Sequence, residues 1–344
     1  MASLPTGLDR AMMSLIRGAR QRRMSWPAMV ERARTCGILP LFLDVAARGG
    51  AENCGASPRE LAALAASERI SQTARCALWR YTLRAVQTCL DGMPCIVLKG
   101  LPCGARLMGD AARRESNDVD VWIEQARCRE ATQALSDAGF RCAVEPHWWA
   151  TNQMLLVHPV LAPVEIHWLP APPPFIAPSF DEAYARAAFD DSTGCRVPGD
   201  ADLWVFLLLH ALQHYFALKT TCDLIAASEV LEIHGVDLDG AAARYGLGRL
   251  SRHVRRAARG FDGHPAWETR VMKSALRAMF EGEAPTGRLI LGEDSKALAA
   301  LGVAMRVGEM ALLDGWRYPL RAATQALWKG PHRLGALVSR WHAP

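Results

Sequence analysis

An α+β protein is expected, with a small mixed β-sheet core flanked by N-terminal and C-terminal helical regions. Three observations predict it. Residues 8–90 read mostly as helix. Residues 95–168 alternate short apolar strands with helical stretches. From Asp200 onward the pattern is helical again. At 344 residues the chain is long for one core, so two or three subdomains are expected. The predicted division is a helical region over 1–90, an α/β core over 91–169 and a C-terminal helical domain over 179–344.

Each element has a local reason. Ser57-Pro58-Arg59-Glu60 has the form of a capping box with Pro at the first helical position. It opens a helix that runs to about Leu90, where Asp91-Gly92 and Pro94 end it. A strand is predicted over 95–99, a helix over 101–108 and a strand over 118–123. A helix over 126–138 is closed by Gly139. Further strands are predicted near 140–145, 153–158 and 163–168. The run Pro170-Ala-Pro-Pro-Pro174 can neither pair in a central strand nor continue a helix, and marks the exit from the core. Beyond it, glycines break the helical pattern near 235, 246 and 260–263.

Composition removes several classes of protein. Half the residues are apolar and 22% are charged, which is globular rather than disordered. No apolar run reaches the roughly 18 residues of a membrane span. No signal peptide is expected at the N-terminus. Ten cysteines are scattered without Cys-x-x-Cys pairs, so reduced thiols and a cytoplasmic location are expected. The net charge of +5 is uneven. Residues 1–36 hold seven arginines against Asp9 and Glu31, and residues 301–344 hold six basic residues against Glu309 and Asp314. Solvated helix faces explain this. A membrane surface or another anionic partner is compatible with it but not expected.

The chemistry concentrates in residues 95–168. In a strand, alternate side chains share a face. Asp118 and Asp120 therefore point one way, while Val119 and Val121 point into the core. Two adjacent carboxylates raise one another's pKa unless a cation sits between them. Paired oxygens of this kind suit Mg²⁺, which usually brings substrate phosphates. Val164-Glu165-Ile166-His167 alternates likewise, with Glu165 and His167 expected to face outward. If the two strands are neighbours, Asp118, Asp120 and Glu165 form the metal shell of a two-metal phosphoryl or nucleotidyl transfer site. Glu165 would then also serve as general base.

Gly100 would let the backbone approach phosphate at the start of helix 101–108. Lys99 would neutralise phosphate or bridge the carboxylates. Arg114 would contact substrate or form a structural ion pair. His210 and His214 share a helix face and, with Asp223, have the residue types of a metal set. Buried packing and lining of the active site are their other readings. His147-Trp148-Trp149 would pack between domains or stack on a base.

The ordered series Lys99, Gly100, Arg114, Asp118, Asp120, Glu165 and His167 resembles the uncharacterised nucleotidyltransferases of the polymerase-β-like superfamily. The helix carrying His210, His214 and Asp223 also resembles that family's helical region, and the resemblance spans roughly residues 80–235. The wider superfamily carries Gly-Ser at its phosphate-binding turn. Here Leu101 follows Gly100, so the turn offers no hydroxyl.

The resemblance implies Mg²⁺-dependent transfer of an NMP from an NTP such as ATP, with two ions and release of pyrophosphate. Lys99, Gly100, Arg114 and His167 would bind the nucleotide. The acceptor would be a small molecule or a peptide, as in natural product biosynthesis, and nucleic acid is not expected. A catalytically idle nucleotide- or peptide-binding module of the same fold is the alternative. Pyrophosphate release separates the two.

Overall fold

The computed structural model describes residues 6–21, 23–49, 51–143, 152–171, 177–214 and 218–259. His147, Trp148, Trp149 and the basic segment 301–344 lie outside the described residues.

The chain opens with α1 (Thr6–Gln21), α2 (Trp26–Thr35), α3 (Leu39–Gly49), α4 (Ala51–Cys54) and the long α5 (Pro58–Cys89). The expected capping box starts α5. Ser57 Oγ accepts from the Glu60 amide, and the Glu60 carboxylate accepts from the Ser57 amide. The core follows: β1 (Cys95–Val97), α6 (Leu101–Met108), β2 (Val119–Ile123), α7 (Cys128–Asp137), β3 (Arg141–Cys142), β4 (Gln153–Val157) and β5 (Val164–His167). After it come α8 (Phe180–Arg186), β6 (Ala188–Asp190), β7 (Cys195–Val197), α9 (Asp200–Gln213), α10 (Leu218–Ile233), α11 (Leu238–Ala243) and α12 (Gly248–Arg259).

The five core strands form one mixed sheet in the order β1-β2-β5-β4-β3. β2 and β5 are parallel, and the other pairs are antiparallel. The register sets Asp120 opposite Glu165 and Trp122 opposite His167. On the next strand, Gln153 faces His167 and Leu155 faces Glu165.

Both faces of the sheet are covered. Val119, Val121, Val164 and Ile166 pack under α5 and α7 with Trp79, Leu83, Val86 and Leu135. The opposite face, which carries Ile96, Leu98 and Trp122, joins a second core with α1–α3 and α9–α12. Helices that precede and follow the sheet in sequence thus share one apolar core, and the Gly7 amide donates to the Glu229 carboxylate on α10.

This changes one expectation. The Glu165–His167 face does not look out to water. His167 is buried and Glu165 half-buried, because helices from the C-terminal half cover that side. The hairpin of β6 and β7 was also not anticipated. It docks on β1 through β7, and Gln87 donates to the Gly194 carbonyl at its turn.

Candidate active site

The site lies on the covered face of the sheet, where β2 and β5 run side by side. Asp120 projects from the middle of β2 and is fully buried. Asp118 stands just before the first residue of β2, with its side chain 32% exposed. The Trp79 indole N–H donates to the Asp118 carbonyl at 2.7 Å, which ties α5 to the entry of β2.

The cation expected between the two aspartates is Lys99. Its ammonium lies 3.0 Å from Asp120 Oδ1 and 3.9 Å from Asp118 Oδ2. Burial alone would lower the Lys99 pKa, but Asp120, Asp118 and Glu165 outweigh it and raise the value. Burial also opposes ionisation of Asp120. Lys99 and His167 overcome it and hold that carboxylate well below the usual range. Asp118 moves the other way: burial and then the charge of Asp120 raise its pKa, with Lys99 in partial opposition. The pair is therefore differentiated, with Asp120 firmly anionic and Asp118 the more basic carboxylate.

His167 links the two strands. Its Nε2 lies 3.1 Å from Asp120 Oδ1 and 3.5 Å from Glu165 Oε2. An ionised carboxylate only accepts, so Nε2–H donates. Burial would lower the imidazole pKa, but the bonds to Asp120 and Glu165 raise it. Gln153 donates to Glu165 Oε2 at 3.0 Å and fixes that carboxylate from the other side.

Asp120, Glu165 and His167 bring ligand atoms within 4.8 Å of one another, and they are the cluster among the described residues with the makings of a cation site. Asp118 falls outside that spacing. Asp120 Oδ2 is buried without a hydrogen-bond partner. A buried acceptor left unpaired is costly. Anionic oxygens with one lone pair set unused fit a hard divalent ion such as Mg²⁺. His167 Nε2 is committed to the carboxylates, whereas its buried Nδ1 has no hydrogen-bond partner.

Arg114 lies beneath this surface. Its Nε and Nη2 donate to both oxygens of Asp223, each at 2.9 Å, and its Nη1 donates to Ser116 Oγ. Both charged groups are almost wholly buried. Burial would lower the Arg114 pKa, but Asp223 outweighs it and raises it. Asp223 thus pairs with Arg114 rather than completing a set with the two histidines.

Gly100 has a structural reason for being glycine. Its φ is +93° and its ψ is −142°, a region that glycine alone enters readily. A Cβ there would fall 2.5 Å from Trp79 Cζ2. The space over the turn is filled by the indole.

His210 and His214, whose ring centroids are 4.3 Å apart, sit at the end of α9. Burial and the charge of Lys99 push both pKa values down, so both rings are neutral at pH 7. Asp120 opposes the shift at both rings, and Glu165 opposes it at His214. One residue of this site, Gln153, carries no sequence motif and could be found only by extending the face of predicted strand 153–158 to its neighbour.

All ten cysteines are free thiols. Cys103, buried behind the site, has its pKa pushed up to about 12 by desolvation, which makes it a poor nucleophile. No helix among the described residues is long and apolar enough to cross a membrane.

A profile of uncharacterised nucleotidyltransferases matches residues 22–261, which is more than half of the chain and extends beyond the motif-bearing core on both sides. No curated protein and no solved structure gives a significant match.

Proposed function

This chain belongs to the uncharacterised nucleotidyltransferase family and is a nucleotidyltransferase; from that premise we propose that it is Mg²⁺-dependent and transfers the NMP of an NTP to a hydroxyl of a small-molecule or peptide acceptor. The observation that supports this best is the meeting of Asp120 and Glu165 across parallel strands with Asp118 at the rim. Asp118, Asp120 and Glu165 would hold the ions. Bound there, they would supply charge neutralisation for the phosphates and for the entering and leaving oxygens.

The remaining work falls to side chains. Glu165, held by Gln153 and His167, would accept the acceptor's proton as the new oxygen–phosphorus bond forms. The bond from the α-phosphorus to the bridging oxygen breaks, and pyrophosphate leaves with the electron pair. Lys99, carried by the turn at Gly100, would offset charge on the nucleotide once it is released from Asp120. His167 and the Arg114–Asp223 pair keep the carboxylate face rigid, so the reacting groups need little reorganisation. The covering helices α9 and α10 limit water as a competing acceptor. Ten unpaired thiols fit a reducing, cytoplasmic setting.

Calorimetric titration with each Mg²⁺-bound NTP tests the reading without knowledge of the acceptor. At least one NTP should bind to the native protein. Pyrophosphate release with candidate acceptors should follow and should vanish in Asp118→Asn. If no NTP binds, the reading is wrong.

A further inference from the structure

The carboxylate face of the sheet is covered only as far as β5. Asp120, Trp122 and His167, on β2 and β5, are 0%, 3% and 4% exposed. Leu155 and Val157, on β4, are 37% and 39% exposed. The register puts all five on one face. Leu155 stands opposite Glu165, Gln153 opposite His167, and Val157 opposite Arg141 on β3. Directly paired residues of neighbouring strands share a face, and every second residue of β4 returns to it. Met154 and Leu156 point the other way, into the core under α5 and α7. Ala143 joins the open side, since its amide donates to the Leu155 carbonyl and the residue is exposed.

The open strip is apolar beside Glu165 and ends in a positive charge. Arg141 is exposed, and among the described residues its guanidinium has no hydrogen bond and no ion pair. An outward strand face is ordinarily polar, and β4 is already anchored by Met154 and Leu156. Folding alone therefore gives no reason for Leu155 and Val157 to stand in water beside a carboxylate. Arg141 lies two strands across from Glu165 and two residues along, which is about 12 Å between Cα atoms.

The order across the sheet separates two substrates. Lys99 follows β1, Asp118 and Asp120 mark β2, and Glu165 lies on β5. Beyond them come the apolar strip of β4 and Arg141 of β3. Phosphates belong with the lysine and the aspartates. The attacking oxygen must approach in line with the leaving one, from the opposite side of the phosphorus. That side is the open one.

Resting on the nucleotidyl-transfer reading, we propose that the open face of β4 and β3 is the acceptor subsite and that the acceptor is an amphiphilic hydroxy acid. Its hydroxyl lies at Glu165, its apolar body along Leu155 and Val157, and its carboxylate on Arg141. The hydroxyl proton passes to Glu165 as the oxygen bonds to the α-phosphorus. Pyrophosphate leaves with the electron pair of the bond that breaks.

The probe is ω-hydroxydodecanoate, with ω-hydroxyhexanoate as an acid too short to reach both ends. Each is titrated calorimetrically with Mg²⁺ into the full chain, as native protein, Leu155→Thr, Arg141→Gln and Arg141→Lys. The long acid should bind native protein at least about tenfold more tightly than the short one, through its extra apolar contact. Leu155→Thr should weaken the long acid about fivefold or more. Arg141→Gln, which loses a charge-assisted contact, should weaken it about tenfold. Arg141→Lys keeps the charge and should stay within about threefold. Both positions are exposed, so melting temperatures should remain native. Equal affinity for the two acids overturns the proposal, as does native-like affinity in Leu155→Thr or in Arg141→Gln. A lowered melting temperature with affinity retained would mark these side chains as structural and overturn it as well. If an NTP binds to the native protein while neither acid does, only the acceptor assignment falls. If no NTP binds, the nucleotidyl-transfer reading falls and takes the assignment with it.

Discussion

Asp120 stands opposite Glu165 across the parallel junction of β2 and β5, and His167 reaches both carboxylates. The pairing joins residues far apart in sequence into one acidic surface. It also splits the aspartates into two kinds. Asp120 is buried and neutralised by Lys99, whereas Asp118 stands at the rim with an elevated pKa.

That division makes Asp118→Asn the informative substitution. Asn keeps the size and removes a charge that repels Asp120. Folding should be unchanged or slightly more stable, within about 0.5 kcal/mol of the native protein. Transfer should fall at least about a hundredfold, the usual scale for removing one preorganised electrostatic contact. Asp120→Asn is a poorer test, since it also strips the buried Lys99 of its nearest partner and should lower stability by more than about 1 kcal/mol. Pyrophosphate release and urea midpoints for both variants check the contrast. Full activity in Asp118→Asn would remove that residue from the chemistry.

Much of this surface was legible in the sequence because strand alternation is local. Val119, Val121, Val164 and Ile166 are buried as their spacing demands. The capping box at Ser57 and the strands around Asp120 and Glu165 follow from nearest neighbours. What covers the sheet does not. His167 faces a second core because α9 and α10 return over it, and no signal in residues 164–167 foretells that. Arg114 and Asp223 are 109 residues apart, so their partnership exists only in the folded state. The strands β6 and β7 are three residues each, too short for a period of two to register.

The Arg114–Asp223 pair should be a large stability element. Removing one partner leaves a buried charge without compensation, at a cost of about 3–5 kcal/mol. Arg114→Met and Asp223→Leu should each be severely destabilised. The double variant should recover much of the loss, because no charge is then stranded. Urea unfolding of the three proteins measures it. Equal and additive losses would show that the two side chains act separately.

Gly100→Ala should damage the fold before it damages nucleotide binding. The backbone conformation costs about 1–3 kcal/mol for a residue with a Cβ. The added carbon also meets the Trp79 ring at a distance that ordinary packing never allows. The indole must move, which breaks its bond to the Asp118 carbonyl. A lowered melting temperature with an altered tryptophan emission spectrum is expected. A native melting temperature would show that the turn relaxes freely.

His210 should give the protein an acid-sensitive limb. Burial, Lys99 and His214 hold its folded pKa well below 6.5, whereas Asp120 only partly opposes them and Arg114 adds to them. Below pH 6.5 the unfolded chain takes up a proton at this imidazole and the folded chain does not. Stability therefore rises with pH across that window and is lost as pH falls from 6.5 through the folded pKa. His167 works in the opposite sense and in another range. Its raised pKa contributes stability that is complete below 6.5 and declines as pH climbs through its folded value. The two windows adjoin without overlapping, so one variant can isolate each. His210→Gln should flatten the melting curve between pH 5 and about 6.5 and leave the limb above it untouched. Melting temperatures of both proteins from pH 5 to 8 check this. Parallel acid limbs would mean that His210 is solvated and ordinary. A loss of NTP turnover at pH 7.5 in His210→Gln, with melting temperature unchanged there, would place the ring against the substrate instead of in the packing.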